Sequence, residues 1–266
     1  MTLNEHPQRR VAIVTGANGV IGKAIATGIA RTGFEVVMVC RDEKRAVLAL
    51  DEVRRASGSS DVRVELADLS RRESVFALAA RWQGRLDGLV NNAAIAPRRR
   101  TETPEGIELQ WATNVLGYVW MMHAFEAALR RSAPARVVNV ASYWAGDLDL
   151  SDLQFQRRRY DNDRAYRQSK QANRMLTVAF AQRWRDTGIT VNSCHPGDAN
   201  SALSNALGFG GSETPEQAAA TPVWLATEPS LATATGQYFA NCRPARCVFA
   251  ADAQGIAELD AICAKN

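Results

Sequence analysis

The chain alternates short β-branched apolar runs with longer amphipathic stretches, and the first junction between them is rich in glycine. Val11–Thr15 reads as a strand and Val20–Arg31 as a helix, with Gly16-Ala17-Asn18-Gly19 between them. The alternation continues. Glu35–Cys40, Asp61–Leu66, Asp87–Asn91, Arg136–Ala141, Ile189–Cys194 and Gly236–Ala240 read as strands. Glu43–Ala56, Arg71–Trp82, Pro104–Arg130, Arg164–Asp186 and Thr214–Ala226 read as helices. Parallel strands need a crossover to pair, and right-handed crossovers place helices on both faces of one sheet. The expected fold is therefore α/β: a single doubly wound Rossmann-type domain over residues 1–266, with a central parallel sheet of about seven strands.

Composition removes several function classes. No apolar run is long enough to span a bilayer, so no integral membrane segment is expected. The first ten residues are polar, contain Pro7 and lack the apolar core of a secretory signal. Five scattered cysteines without paired spacing point to reduced thiols and a cytoplasmic setting. Three histidines and no HExxH offer no metal site. Net charge is only +4 with no long basic tract, which argues against nucleic acid as a partner. Arg98–Arg100 and Arg157–Arg159 read as solvated loop charges.

Ligands in such folds sit beyond the carboxyl ends of the strands. After the first strand, Gly16, Asn18, Gly19, Ile21 and Gly22 open a helix, where small residues and free N–H groups suit a pyrophosphate. After the second, Cys40 stands where an NAD site places an acid, and Arg41 follows with a planar fork suited to a 2′-phosphate. This favours NADP(H) over NAD(H), although Asp42 keeps NAD(H) open. Asp68-Leu69 is placed for an adenine ring, and Asn91-Asn92-Ala93-Ala94 ends the fourth strand.

The chemistry concentrates later. Tyr166 and Lys170 lie four apart and share a helical face. With five tyrosines and four lysines (Lys23, Lys44, Lys170, Lys265), such a pair arises by chance roughly 0.08 times. A nearby ammonium favours a phenolate and brings a tyrosine closer to neutral proton exchange. Ser142, at the end of the fifth strand, can hold a substrate oxygen. The expected reaction is hydride transfer between a carbonyl and an alcohol. Trp144 and Leu203 are expected to face a largely apolar small-molecule substrate.

The glycine-rich turn, Asn91-Asn92-Ala93, Asn114, Ser142, Tyr166/Lys170 and His195-Pro196-Gly197 occur in the order found in the short-chain dehydrogenase/reductase family, which the chain resembles over nearly its whole length. More narrowly it is similar to the retinol-dehydrogenase-like and WW-domain-oxidoreductase-like branch, through Val39–Asp42, Thr113–Gly117, Ser132–Pro134, Ala165–Asn173 and Cys194–Gly197. The resemblance implies that Tyr166 is the acid/base, Lys170 orients the nicotinamide ribose and tunes Tyr166, and Ser142 binds the carbonyl. Asn114 would hold a proton-relay water. Asn92 and Ala93 would line the adenosine side, with Pro196 and Gly197 beside the nicotinamide. Residues 198–211 would form a mobile substrate lid, and the two long helices would serve as oligomer interfaces if the chain self-associates. The sequence departs from the branch at Val20 and Ala94, where glycine is usual. The resulting Gly16-x-x-Gly19-x-x-Gly22 spacing matches sugar-nucleotide epimerases and dehydratases, one alternative; a non-catalytic NADPH sensor or scaffold is another.

Overall fold

A computed structural model describes residues 9–266. His6 and Pro7, and the reading of the N-terminal segment before Arg9, lie outside the described residues. In chain order the strands are β1 (Val11–Thr15), β2 (Glu35–Cys40), β3 (Val62–Leu66), β4 (Gly88–Asn91), β5 (Ala135–Val140), β6 (Ile189–Cys194), β7 (Tyr238–Ala240) and β8 (Arg243–Ala245). The helices are α1 (Val20–Arg31), α2 (Glu43–Ser57), α3 (Arg72–Ala80), α4 (Leu109–Trp111), α5 (Gly117–Arg131), α6 (Asn162–Arg183), α7 (Ala202–Ala206), α8 (Pro215–Thr227) and α9 (Ala253–Ala264). The strands form one sheet in the order β3-β2-β1-β4-β5-β6-β7-β8. This is the doubly wound arrangement, with its order reversing between β1 and β4.

The side-chain period of two divides the core. Val11, Ile13, Val37, Val39, Leu89 and Val137 face one apolar layer, shared with α5, α6 and α9. Their neighbours Ala12, Val14, Val36, Met38, Val90 and Val138 face the other, shared with α1, α2 and α8. Strands β1, β4 and β6 are covered on both faces and buried throughout; β1 meets this with a nearly continuous apolar run, whereas β6 also buries Thr190, Asn192 and Ser193. At the edge, β3 carries Arg63, paired with Glu35 at 2.9 Å and Glu65 at 2.7 Å. Charge there discourages pairing with another chain.

Three features differ from the sequence expectation. First, the sheet has eight strands rather than about seven, and β8 runs antiparallel to β7. The hairpin turns on Asn241 and Cys242, both at positive φ (51° and 53°), the backbone of a two-residue hairpin turn. Arg243-Pro244-Ala245 has no apolar alternation to announce a strand, and its proline is tolerated because the strand lies at an edge. Second, the helix expected from Pro104 begins only at Leu109. Glu108 caps it, accepting from the N–H groups of Gln110 (2.9 Å) and Trp111 (2.6 Å). A π-helical turn, Ala112–Leu116, then separates α4 from α5. Third, α9 follows Asp252, whose carboxylate accepts from the Gly255 N–H at 2.9 Å. Its Ile256, Leu259 and Cys263 pack into the core against α6. The outward face of α6 is thus covered within the chain. No helix among the described residues is long and apolar enough to cross a membrane.

A polar ladder crosses this packing. Asn91 Nδ2 donates to Asn139 Oδ1 at 3.0 Å, and Asn139 Nδ2 donates to Thr177 Oγ1 at 3.0 Å, all buried. Asn139→Ala leaves the Asn91 amide without its acceptor, and the expected loss is about 1–3 kcal/mol of unfolding free energy. Urea denaturation of the variant against the parent measures it.

Candidate active site

A cleft of about 630 Å³ opens beyond the carboxyl ends of the central strands. Its first wall is the glycine-rich turn. Gly16 has φ +63°, and a Cβ there would lie 2.7 Å from the Ala93 backbone. A Cβ on Gly22 would lie 2.3 Å from the Gly16 carbonyl. Neither position can carry a side chain without moving the backbone. Gly19 differs: its φ is −82° and a Cβ would sit at 3.3 Å. It serves as the N-cap of α1, and Val20 follows as the first helical residue. Asn18, Val20 and Ile21 line the cleft with the glycines. The start of α1 therefore presents a cradle with no Cβ at its two tightest points, which fits a phosphate group.

The β1–β4 seam is held by side chains. Asn92 Nδ2 donates to the Thr15 carbonyl at 2.8 Å, and Thr15 Oγ1 accepts from the N–H groups of Asn92 (2.9 Å) and Ala93 (3.1 Å). Thr15 was not singled out from sequence, where a strand-end threonine carries no signal. At the far end, Arg41 and Arg45 are exposed, line the cleft and pair with no carboxylate among the described residues. Arg45, one helical turn beyond Arg41, was also missed. Asp42 also lines the cleft, but its carboxylate caps α2, accepting from the Arg45 N–H at 2.8 Å. Cys40 is buried beneath the turn, and burial pushes its thiol up to about 11. Asp68 lines the cleft while holding Ser70 through its N–H (3.0 Å) and hydroxyl (2.7 Å), and Leu69 lies beside it.

The opposite wall brings β5 and α6 together. Ser142, Tyr166 and Lys170 all line the cleft. Lys170 is only 1% exposed, and its ammonium donates to the Val140 carbonyl at 2.8 Å while lying 5.6 Å from the Tyr166 ring centre and 5.5 Å from that of Tyr118. Tyr118, buried below Lys170, has no sequence signature. Asn114 sits in the π-helical turn and grips both main-chain groups of one residue: Oδ1 accepts from the Ile95 N–H at 2.9 Å and Nδ2 donates to the Ile95 carbonyl at 3.0 Å, with a longer contact to Ser169 Oγ at 3.3 Å. Its side chain is spent on holding Ile95, which lines the cleft. Such π turns concentrate at functional sites.

Pro196, Gly197 and Leu203 line the cleft near its mouth. Trp144 does not; it packs edge-on against Phe209 at 5.6 Å, and Phe209 forms the lining. His195 also lines the cleft, with Nδ1 buried and without a hydrogen-bond partner. The Tyr143 ring meets it edge-on at 4.6 Å.

The electrostatics depart from the sequence expectation that the ammonium lowers the tyrosine. Burial pushes Tyr166 up to about 12, and a hydrogen bond with Ser142 opposes this only in part. Burial also brings Lys170 down to about 7. Both groups lose water, and loss of water disfavours each charged form. The chain has only four lysines, so selective ¹³Cε-lysine labelling resolves them. One signal titrating near pH 7 is expected, and Lys170→Met should remove it. A Lys170 signal titrating near the free-lysine value of about 10.4 would contradict the burial described.

A glycine cradle at the first crossover faces a Ser, Tyr and Lys across one cleft, and the chain that builds this arrangement is similar to known proteins over most of its length. The family model described as short chain dehydrogenase matches residues 10–208. Retinol dehydrogenase 13 of Mus musculus is 33% identical over 254 residues, spanning 88% of this chain and 76% of the relative. A solved structure of a putative uncharacterized protein from Mycobacterium Paratuberculosis superimposes with a TM-score of 0.80 at 29% identity, covering 97% of this chain and 92% of that one. The Pseudomonas aeruginosa RhlG/NADP active-site complex does so with a TM-score of 0.68 at 28% identity, covering 87% and 94%. With the model match running from β1 to α7, this chain belongs to the short-chain dehydrogenase/reductase family of nicotinamide-dependent oxidoreductases, in its retinol-dehydrogenase-like branch.

Proposed function

We propose that the protein interconverts an aldehyde or ketone and the corresponding alcohol with NADP(H) as cofactor. The observation that carries the reading is the convergence of Ser142, Tyr166 and Lys170 on one wall of a cleft whose other wall is the glycine cradle. Gly16, Asn18, Gly19, Ile21 and Gly22 hold the pyrophosphate, with Asp68, Leu69, Asn92 and Ala93 around the adenosine and Pro196 and Gly197 at the nicotinamide. When bound, the reduced nicotinamide supplies a hydride to the substrate carbon. Ser142 binds the substrate oxygen while negative charge develops there. Tyr166 gives that oxygen its proton; burial keeps the phenol protonated at neutral pH, which suits the reduction direction. Lys170 hydrogen-bonds the cofactor ribose and, when charged, steadies the phenolate left behind. Asn114 has its amide committed to Ile95, so a relay water in this reading rests on backbone and not on that amide.

NADP(H) is supported by the two unpaired guanidiniums of Arg41 and Arg45 at the adenosine end, by Asp42 being occupied as a helix cap, and by the NADP complex of a similar structure. The substrate is apolar in this reading: Ile95, Leu109, Leu203 and Phe209 line its end of the cleft, and relatives carry the name retinol dehydrogenase. Residues 198–211, which hold α7 and Phe209, form the lid that excludes water. Five unpaired cysteines suit a reducing compartment such as the cytoplasm. The spacing behind the epimerase alternative carries little steric weight, because a Cβ on Gly19 would press on the Gly16 carbonyl only at 3.3 Å, whereas Gly16 and Gly22 leave no room for one.

Following NADPH oxidation over a panel of apolar aldehydes and ketones tests the activity. Tyr166→Phe should lower turnover by about 10²–10⁴-fold while NADPH binding is retained. A phenylalanine variant of undiminished rate would remove Tyr166 from the proton transfer. The cofactor assignment is tested separately: NADPH should outperform NADH in kcat/KM, and Arg41→Ala with Arg45→Ala should narrow the ratio by about tenfold or more, since each charge-assisted phosphate contact is worth about 1.5–3 kcal/mol. Equal use of both cofactors by the parent protein overturns it.

A further inference from the structure

Tyr166, Lys170 and Arg174 stand at successive four-residue steps and form one stripe along α6. Each side chain reaches the end of β5. Tyr166 meets the Ser142 hydroxyl, Lys170 donates to the Val140 carbonyl at 2.8 Å, and Arg174 Nη2 donates to the Ser142 carbonyl at 2.5 Å. Arg174 is only 6% exposed and forms no ion pair among the described residues. Its guanidinium lies over aromatic rings instead, with Cζ 3.5 Å from the Tyr238 ring centre and 5.7 Å from that of Phe249. Nε has no hydrogen-bond partner.

A buried guanidinium with no carboxylate is an unfavourable way to fill space, and an apolar side chain of similar length would serve packing as well or better. Its one directed contact is the Ser142 carbonyl. The remaining contacts leave the Ser142 carbonyl to Arg174: Ala141 N–H donates to the Cys194 carbonyl at 2.8 Å, Trp144 N–H donates to Ser142 Oγ at 3.1 Å, and Tyr166 meets that same hydroxyl. The chain leaves the sheet at this residue, so the strand ladder no longer sets its orientation.

Resting on the carbonyl–alcohol reading of the site, we propose that Arg174 is a positioning residue, which grips the Ser142 carbonyl from behind and so aims the Ser142 hydroxyl at the reacting oxygen. Tyr238 of β7 and Phe249 form the wall that holds the guanidinium against its target. The C-terminal hairpin thereby supports the reaction without reaching the cleft.

The test compares Arg174→Met and Arg174→Lys with the parent protein, alone and in a Ser142→Ala background. In Arg174→Met, kcat for carbonyl reduction should fall about tenfold, equivalent to about 1.4 kcal/mol in the barrier. NADPH affinity, read by fluorescence titration, and Tm should be unchanged or improved. Arg174→Lys, which keeps a donor but loses the flat fork, should recover part of the rate. In the Ser142→Ala background, Arg174→Met should cost nothing further, because residues acting through one group are not additive. An undiminished kcat in a folded Arg174→Met variant overturns the role. So does a full tenfold loss in the Ser142→Ala background, or a loss that tracks NADPH affinity and Tm. If the parent protein reduces no carbonyl in the panel, the reading of the site falls, and this inference with it.

Discussion

The order of a parallel sheet can reverse only where two neighbouring strands send their crossovers to opposite faces, and that reversal leaves a crevice. Here the reversal lies between β1 and β4. Helix α1 departs to one layer and the α4–α5 segment to the other, so nothing packs directly over the two strand ends. Thr15 and Asn92 close the seam with hydrogen bonds where the backbone ladder stops. Gly16 and Gly22 then allow the turn to lie against Ala93 and against itself. The cleft is a consequence of strand order, and side chains around it only tune its shape.

Helix α6 works against the same geometry from the other side. It runs long enough to place Tyr166, Lys170 and Arg174 along the end of β5, and two of those three are cations taken out of water. Neither has a carboxylate partner among the described residues; both donate to backbone carbonyls at the strand end. Carbonyls freed where a strand leaves the sheet are the acceptors available there. The Tyr238 and Phe249 rings cover the Arg174 guanidinium, while Tyr166 and Lys170 face the cleft. The expense of desolvating these groups is accepted where β5 delivers Ser142, and buried charge of this kind concentrates where structure serves chemistry.

Much of this was legible in the residues. Val11–Thr15 could be read as a strand buried on both faces, because its apolar run is short, β-branched and unbroken up to its last residue. The convergence of Ser142 with Tyr166 and Lys170 could be read because strand ends and a four-residue helical step leave little freedom. Elements that depend on context were not legible. The strand β8 is three residues containing a proline, and it exists because β7 offers an edge. The helix α9 is short and weakly patterned, and its place is settled by the open face of α6. The start of the α4 segment was misplaced because Pro104 resembles a helix opening, whereas Glu108 supplies the actual cap.

Local pattern alone determined the fold class, the location of the cleft and the main groups within it, since period, glycine placement and helical spacing act over a few residues. Tertiary structure decided what those groups experience. It turned Asp42 into a cap, spent the Asn114 amide on Ile95, set Trp144 behind Phe209 and drew Arg174 to the Ser142 carbonyl. It also decided that loss of water, and not the neighbouring ammonium, governs Tyr166. Burial and partner choice depend on segments far apart in the chain, so no stretch of residues read by itself contains them.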